Sequence, residues 1–298
     1  MMTQSNHENN TTQITNINKV EPKVTIAQSL TIGSIAGAAE VLIDHPLWTI
    51  KTRIQSGQPF TLNPSLLYRG VLPNAASMIP ITSVQVGLNR FVQNVWSHKT
   101  NNQSSTERIL SSFVAGVGSS FISCPTEMAM TYQSKAGGSF CTAVNSLVKE
   151  GGWRCLFTGL PATALRDGKF AAFFLAGIPM IKTQIRPYYS NEEEATFVAG
   201  LGAGACATLV SQGHDTLKTE QQAATPVGSL SYRNAVKQIY SNAGGYGFFK
   251  GVIPRGSRVV SAITIMGLVC EKMEAKFSQY NAEHIHDEEC GESMGKTL

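Results

Sequence analysis

The chain has 298 residues, of which 42% are hydrophobic and only 15% charged, with 27 glycines and a formal net charge of +4. A charged fraction well below the roughly 25% of soluble domains leans towards a membrane protein. The small basic excess, with no Lys/Arg block and no basic stripe interleaved with aromatics, excludes a nucleic-acid binder. Mean hydropathy is nevertheless −0.04. Few windows therefore reach the run of about 20 unbroken apolar residues that marks a lipid-surrounded helix, and any spanning helices must be amphipathic with polar sides turned inward.

Residues 1–24 are rich in Asn, Thr and Gln, lack an apolar core and carry acids beside Lys19 and Lys23. They fit neither a secretory signal nor an Arg-rich transit peptide and read as a disordered lead. The six cysteines, Cys124, Cys141, Cys155, Cys206, Cys270 and Cys290, form no CxxC pair and have no regular spacing, which removes a disulfide framework and a zinc ribbon. The polar tail, 281–298, contains His284, His286 and Cys290, yet reads as a solvated terminus rather than a metal site.

Between lead and tail one pattern occurs three times. Repeat 1 (25–100) opens with GSIAGAAEVLIDHPLWTIKTRIQ (33–55) and continues past Tyr68-Arg69-Gly70 into VLPNAASMIPITSVQVGL. Repeat 2 (105–190) opens with SSFVAGVGSSFISCPTEMAMTYQS (111–134) and continues past Phe157-Thr158-Gly159 into LPATALRDGKFAAFFLAGIPMI. Repeat 3 (193–280) opens with GLGAGACATLVSQGHDTLKTEQQ (200–222) and continues past Phe249-Lys250-Gly251 into VIPRGSRVVSAITIMGLV. The aromatic-x-Gly glycines lie 89 and 92 residues apart, a spacing too regular for chance.

Aligned on Pro46, Pro125 and Gly213, small residues recur thirteen and nine places earlier, as Gly33/Gly37, Ser112/Gly116 and Gly200/Gly204. Such small-xxx-small spacing lets helix backbones approach closely where lipid supplies no hydrophobic drive for association. Pro46 and Pro125 predict kinks at equivalent heights, and Gly213 permits a bend in the third copy. Spaced apolar residues in GSFCTAVNSLVKE and SYRNAVKQIYSN predict short surface helices. The expected fold is all-α: six transmembrane helices in three pseudosymmetric repeats, each repeat with one short surface helix.

A soluble alternative starts from Gly200, Gly202 and Gly204 after an apolar run, with Glu220 twenty residues past Gly200, which imitates a dinucleotide-binding turn and its ribose acid. A Rossmann unit gives no reason for the matching small residues in the other two copies. It requires the segment 200–206 to be strand and turn.

At these residues the chain resembles the mitochondrial carrier family, whose repeat motif reads Px[DE]xx[KR]x[KR] and, after a loop, [DE]Gx(4-5)[WYF][KR]G. Here the first part reads Pro46-x-Trp48-x-x-Lys51-x-Arg53, then Pro125-x-Glu127-x-x-Met130-x-Tyr132, then Gly213-x-Asp215-x-x-Lys218-x-Glu220. The second part reads Glu150-Gly151 before Phe157-Thr158-Gly159, Gly244 before Phe249-Lys250-Gly251, and Tyr68-Arg69-Gly70 alone in repeat 1. The likeness runs from about Gln28 to Phe277. It implies a monomeric, multi-pass protein of the mitochondrial inner membrane that moves a small metabolite by alternating access, with no catalytic residues, metal or cofactor. It also implies cardiolipin-like lipid at the aromatic-x-Gly steps, Gly70, Gly159 and Gly251.

Ionisable residues inside spanning helices are costly and by default mark a pathway. They are Glu40, Asp44 and His45 in the first helix, Arg90 in the second, Arg166, Asp167 and Lys169 in the fourth, and Arg255 and Arg258 in the sixth. Seven places past each aromatic-x-Gly glycine stand Ser77, Arg166 and Arg258, the depth at which the resemblance implies substrate contacts. The site is expected to be Ser77, Arg166, Asp167 and Arg258. Its two permanent cations would hold a carboxylate or phosphate, and Asp167 would accept an ammonium group. Within the family, Arg followed by an acid at this point of the fourth helix goes with amino-acid substrates. The bland alternative is that Arg166 and Asp167 only neutralise one another in a packed bundle.

The resemblance further implies a ring of interhelical ion pairs closing the matrix side, with the acid of one odd helix paired to the base of the preceding one. On that sense Glu127 pairs with Lys51, braced by Gln55, while Asp215 faces Met130 and Lys218 faces Trp48. The cytoplasmic ring, [FY][DE]xx[KR] in the family, is expected to be eroded, since Leu88-Asn89, Ile178-Pro179 and Val269-Cys270 occupy its places with only Glu271 nearby. Exchange with some net uniport follows. The erosion suits a fast-diverging eukaryotic carrier, such as one adopted by an intracellular bacterium and sent to host mitochondria, and with that origin an adenine nucleotide is the alternative substrate. A nucleotide-dependent enzyme and a non-transporting membrane adaptor are the readings from other classes.

Overall fold

A computed structural model describes residues 24–55, 62–68, 71–97, 104–136, 139–223, 230–249 and 251–295. The side chains of 47–48, 50–55, 73, 97, 134–136, 223, 254 and 284–295 lie outside that description, as do the lead up to residue 23, Gly70 and the His284–Cys290 side chains. Every regular element among the described residues is a helix.

Repeat 1 comprises α1 (Ile26–Gln55), the single turn α2 (Pro64–Leu67) and α3 (Val71–Ser97). Repeat 2 comprises α4 (Ser105–Ala136), α5 (Phe140–Gly151), the short α6 (Trp153–Leu156), and a fourth spanning path made of α7 (Leu160–Ala171), a π-helical segment (Ala172–Gly177) and α8 (Ile178–Ile185). Repeat 3 comprises α9 (Glu192–Ala223), α10 (Tyr232–Ala243), a 3-10 segment (Gly244–Phe249) and α11 (Val252–Gly295). At 1.5 Å per residue, the 30 to 32 residues of α1, α4 and α9 extend about 45 Å, enough to cross a bilayer. Ile26–Pro46, Ser105–Gln133 and Glu192–Gln222 are also apolar enough to do so on composition alone. The helix α9 runs unbroken through 200–206, so the dinucleotide-turn reading falls. The tail expected from residue 281 is instead a continuation of α11 to Gly295, in a stretch without Pro or Gly before Gly291.

The glycines of this register, Gly33, Gly37, Gly116, Gly200 and Gly204, are where each odd helix meets the even helix of its own repeat. A Cβ on Gly33 would stand 2.6 Å from the Thr82 carbonyl oxygen, one on Gly116 2.2 Å from the Asp167 carbonyl oxygen, and one on Gly204 2.6 Å from the Val260 Cα. Those three helix pairs are thus in backbone contact, which a methyl group would prevent. Ser112 joins α4 to α3 by a 3.2 Å hydrogen bond to Asn89 Oδ1.

Burial repeats with the same threefold register. Ala36, Ala115 and Ala203, ten places before Pro46, Pro125 and Gly213, expose no surface, whereas Leu42, Phe121 and Leu209, four places before, are 54%, 59% and 59% exposed. Large apolar side chains face outward while Gln85, Ser119, Ser123, Ser211 and Gln212 are buried. This inversion is stable only when the outer solvent is hydrocarbon. Both Pro46 and Pro125 lie inside their helices, which continue beyond them.

The positive-φ glycines explain the second half of the motif. Gly159 and Gly251 have φ of 81° and 82° at the turns opening α7 and α11, a conformation that side chains with a Cβ rarely adopt. Seven residues earlier, Gly152 and Gly244 have φ of 70° and 59°. The motif glycine of repeat 2 is therefore Gly152 by conformation, one place beyond Gly151.

Candidate functional site

Equivalent glycines fix the depth of the expected contact points. Gly37 of α1 meets Met78 and Thr82, and Gly116 of α4 meets Asp167 and Ala171. The residues following Ser77 and Arg166 thus touch matching places, which puts Ser77 and Arg166 at one level. In repeat 3, Val260, two places past Arg258, meets Gly204.

Arg166 lies at the centre of a network of charges, with its side chain 11% exposed. Its guanidinium reaches Asp167 Oδ1 at 2.7 Å, Glu127 Oε2 at 2.9 Å and Asp215 Oδ1 at 3.4 Å. Glu127 is also paired with Lys218. Arg255 Nε reaches Asp215 Oδ2 at 3.0 Å, and its other nitrogens donate to Gln212 Oε1 and Ser211 Oγ. Three formal cations, Arg166, Lys218 and Arg255, are matched by three carboxylates, Glu127, Asp167 and Asp215. Among the described residues the cluster is neutral, and its planar guanidinium fork suits several carboxylates at once.

Two expectations change here. Asp167 has both oxygens engaged, Oδ1 by Arg166 and Oδ2 by the Ser123 hydroxyl, and is buried, so it is not an open acceptor for an ammonium group. The more open carboxylates are Glu127 and Asp215, with side chains 31% and 24% exposed. Arg255, absent from the expected site, contributes the second guanidinium of the cluster. It stands three residues before Arg258, so the same helical face carried the signal.

Arg258 is exposed, and its charge acts on Glu40 and Asp44 of α1. Asp44 Oδ1 accepts a hydrogen bond from Ser261, joining α1 to α11. Ser77 is 9% exposed and donates to the Asn74 carbonyl at 2.8 Å, within its own helix. His45 is buried, stacks on Tyr68 and lies 3.4 Å from Asn74 Nδ2. Lys169 turns to α9, where it meets the Val210 carbonyl and His214.

The ion pairs run in the opposite sense to the one expected. Lys218 pairs with Glu127, the acid of the preceding repeat, instead of facing Trp48. Asp215 takes Arg166 and Arg255 instead of facing Met130. The reason is geometric: the order in which the odd helices follow one another around the bundle decides which base an acid meets, and spacing along the chain does not contain that order. The side chains of Lys51 and Gln55, the other members of the expected gate, lie outside the described residues.

The opposite end of the bundle also carries a bridge. Lys182 Nζ is 2.7 Å from Glu271 Oε1 on α11 and 2.7 Å from Glu192 Oε2 on α9, and Thr196 donates to Glu271. The expected erosion of this ring is therefore incomplete. Lys182 comes sixteen positions after Arg166, which at 100° per residue would set it about 160° away from Arg166 around the helix. The π segment between them inserts one extra residue and brings the difference to about 60°. Pro179 explains the widened turn, because it has no N–H to return to the Leu175 carbonyl and its ring crowds that group.

This bundle agrees with comparisons to known proteins. The family described as "Mitochondrial carrier protein" matches residues 22–65, 101–188 and 194–281, one segment per repeat. The mitochondrial carnitine carrier of Saccharomyces cerevisiae is 27% identical over 291 residues, covering 85% of this chain and 88% of the relative. The mitochondrial glycine transporter of Homo sapiens is 29% identical over 282 residues, covering 84% and 90%. That of Mus musculus is 27% identical over 282 residues, covering 84% of each. With three matching segments on three helical repeats, the chain belongs to the mitochondrial carrier family, multi-pass transporters, not enzymes, that move small metabolites across the inner membrane.

Proposed function

We propose that the substrate is a zwitterionic, amino-acid-like metabolite, carried by alternating access in exchange and, at a lower rate, by net uniport. The observation that carries this reading is the neutral balance of the six-residue cluster. A zwitterion can enter it by exchange of partners, its carboxylate taking Arg255 or Arg166 while its cationic nitrogen takes Asp215 or Glu127, and no charge is left over. An adenine nucleotide would bring several negative charges into a site whose cations are already matched, and each uncompensated charge in such surroundings costs several kcal/mol. Glycine and carnitine, named in the relatives' descriptions, each combine one carboxylate with one cationic nitrogen.

Arg258, exposed one turn past Arg255, is the first anion contact in this scheme, and Ser77 lines the same level. Gly159 and Gly251, with their left-handed turns, stay as the lipid-contacting steps; Gly70 lies outside the described residues. The reading is tested by uptake into liposomes holding purified protein, with labelled glycine, carnitine, keto acids, ADP and ATP. Saturable uptake of a zwitterion, abolished by Arg166→Ala and by Arg258→Ala, is expected. Strong nucleotide transport, or parental rates in either variant, would overturn it.

A further inference from the structure

The three repeats pack alike, so a slot filled differently in one of them needs a separate cause. Six places before Pro46, Pro125 and Gly213 stand Glu40, Ser119 and Ala207, and two places before them stand Asp44, Ser123 and Ser211. All six residues are buried. Packing at these slots is satisfied by small side chains in repeats 2 and 3. Repeat 1 instead places two carboxylates there, one turn apart on one face of α1.

Glu40 is 2% exposed and Asp44 5%. Each has one buried oxygen, Glu40 Oε2 and Asp44 Oδ2, with no hydrogen-bond partner among the described residues. Ser261 serves the other oxygen of Asp44. On the sixth helix the charged group acting on both is Arg258. On the second helix the sole ionisable residue is Arg90, near its far end. On α1 itself the neighbour is His45, held between Tyr68 and Asn74. Two ionised carboxylates facing one guanidinium leave one negative charge in excess, on oxygens cut off from water, and such an arrangement is strongly unfavourable until a positive charge joins it.

The sealed surroundings choose that charge. Oxygens without accessible surface leave no room for an ammonium group or a hydrated metal ion, whereas a proton takes no volume. We propose that Glu40 and Asp44 together bind one proton that travels with the substrate, which makes the net transport running beside exchange a proton symport in place of a simple uniport. In the state described, the proton sits on the pair, sealed between α1 and α11. When these helices part, Asp44 loses Ser261, both carboxylates meet water, and the proton leaves to water on that side. Binding of a proton from water on the other side resets the pair. The proposal rests on the zwitterion reading for the sign of the current: a neutral substrate plus one proton moves one positive charge.

The test uses full-length protein in liposomes without internal substrate, with the membrane potential held at zero by potassium and valinomycin. With an outside one pH unit more acid, glycine or carnitine should accumulate about tenfold inside, the equilibrium for one proton per substrate. A lumenal pH dye should report acidification on substrate addition at equal starting pH. Glu40→Gln, which fixes the uncharged form, should bring the accumulation ratio to about one. The dye measurement needs no variant, so it decides even if Glu40→Gln fails to fold. Zwitterion uptake that neither acidifies the lumen nor responds to the gradient overturns the proton site and keeps the substrate reading. Lumenal acidification driven by a substrate that is not a zwitterion keeps the proton site and overturns that reading.

Discussion

The pairing of Lys218 with Glu127 joins the base of repeat 3 to the acid of repeat 2. The same rule predicts that a base at the repeat 2 slot, held by Met130, would pair with an acid at the repeat 1 slot, held by Trp48. One missing bridge then needs both replacements at once, Trp48→Glu with Met130→Lys. Under the opposite sense each would act alone, Trp48→Glu on Lys218 and Met130→Lys on Asp215. The bridge already present joins side chains 10% and 31% exposed. Its new counterpart should therefore reach the upper end of the range for exposed pairs, about 1 kcal/mol. If that is lost wholly when the ring opens, the empty carrier changes sides about fivefold more slowly. The double variant should cut initial uptake into empty liposomes about fivefold, and uptake into preloaded ones much less, because bound substrate supplies the opening energy there. Each single variant should show no such split, so the double-mutant cycle yields a coupling of about 1 kcal/mol. A Met130→Lys variant that matches the double, or a cycle with no coupling, would refute the pairing rule.

Three further outcomes are expected. Gly116→Val should lower the thermal midpoint of detergent-purified protein and reduce folded yield, by about 1–3 kcal/mol or more, because its Cβ would stand 2.2 Å from the Asp167 carbonyl oxygen and backbone must move; Gly202→Ala, whose nearest neighbour is Ile181 at 3.8 Å, should do neither. Arg166→Lys should lose most uptake despite keeping the charge, since one ammonium cannot serve the carboxylates of Asp167, Glu127 and Asp215 together; liposome uptake at saturating substrate checks this. Deleting Leu175 should convert the π segment to an ordinary turn, swing Lys182 about 100° from Glu271, and raise the ratio of net uptake to exchange; charge reversal of the pair, Lys182→Glu with Glu271→Lys, should leave that ratio closer to the parental value.

The architecture was legible because its signals are local and repeated three times. Gly33, Gly116 and Gly204 mark backbone contact between neighbouring helices, and a close approach needs small residues whatever else surrounds it. Arg166 was legible because a permanent charge inside a spanning helix has few reasons to be there. The sense of the ion-pair ring was not, since it depends on helix order around the bundle. Arg255 was hidden for a related reason: a count from Gly251 selects one residue per helix, while a helical face presents two, three residues apart. Lys182 was passed over because Pro179 fills the acid place of the cytoplasmic motif, although Lys182, four places after Ile178, stands at its basic place. Gly152 was missed by one place, since motif letters cannot tell which of two adjacent glycines takes positive φ.

Threefold symmetry suits a scaffold, but no zwitterion is threefold symmetric, so binding must draw on the places where the repeats differ. At the acid slot of the Pro motif stand Trp48, Glu127 and Asp215, and at the contact level Ser77, Arg166 and Arg258. Every charge of the neutral cluster comes from repeats 2 and 3, while the two carboxylates that each bury one oxygen without a hydrogen-bond partner among the described residues belong to repeat 1. A substrate that takes partners from the cluster acts between repeats 2 and 3, where Glu127 is paired with Lys218 and Asp215 with Arg166. A proton on Glu40 and Asp44 acts between repeats 1 and 3, where Ser261 joins α1 to α11. Opening one end of the bundle separates repeats at both seams. Each ligand therefore changes the free energy of the same motion, and two ligands that bias one two-state motion must be coupled to each other.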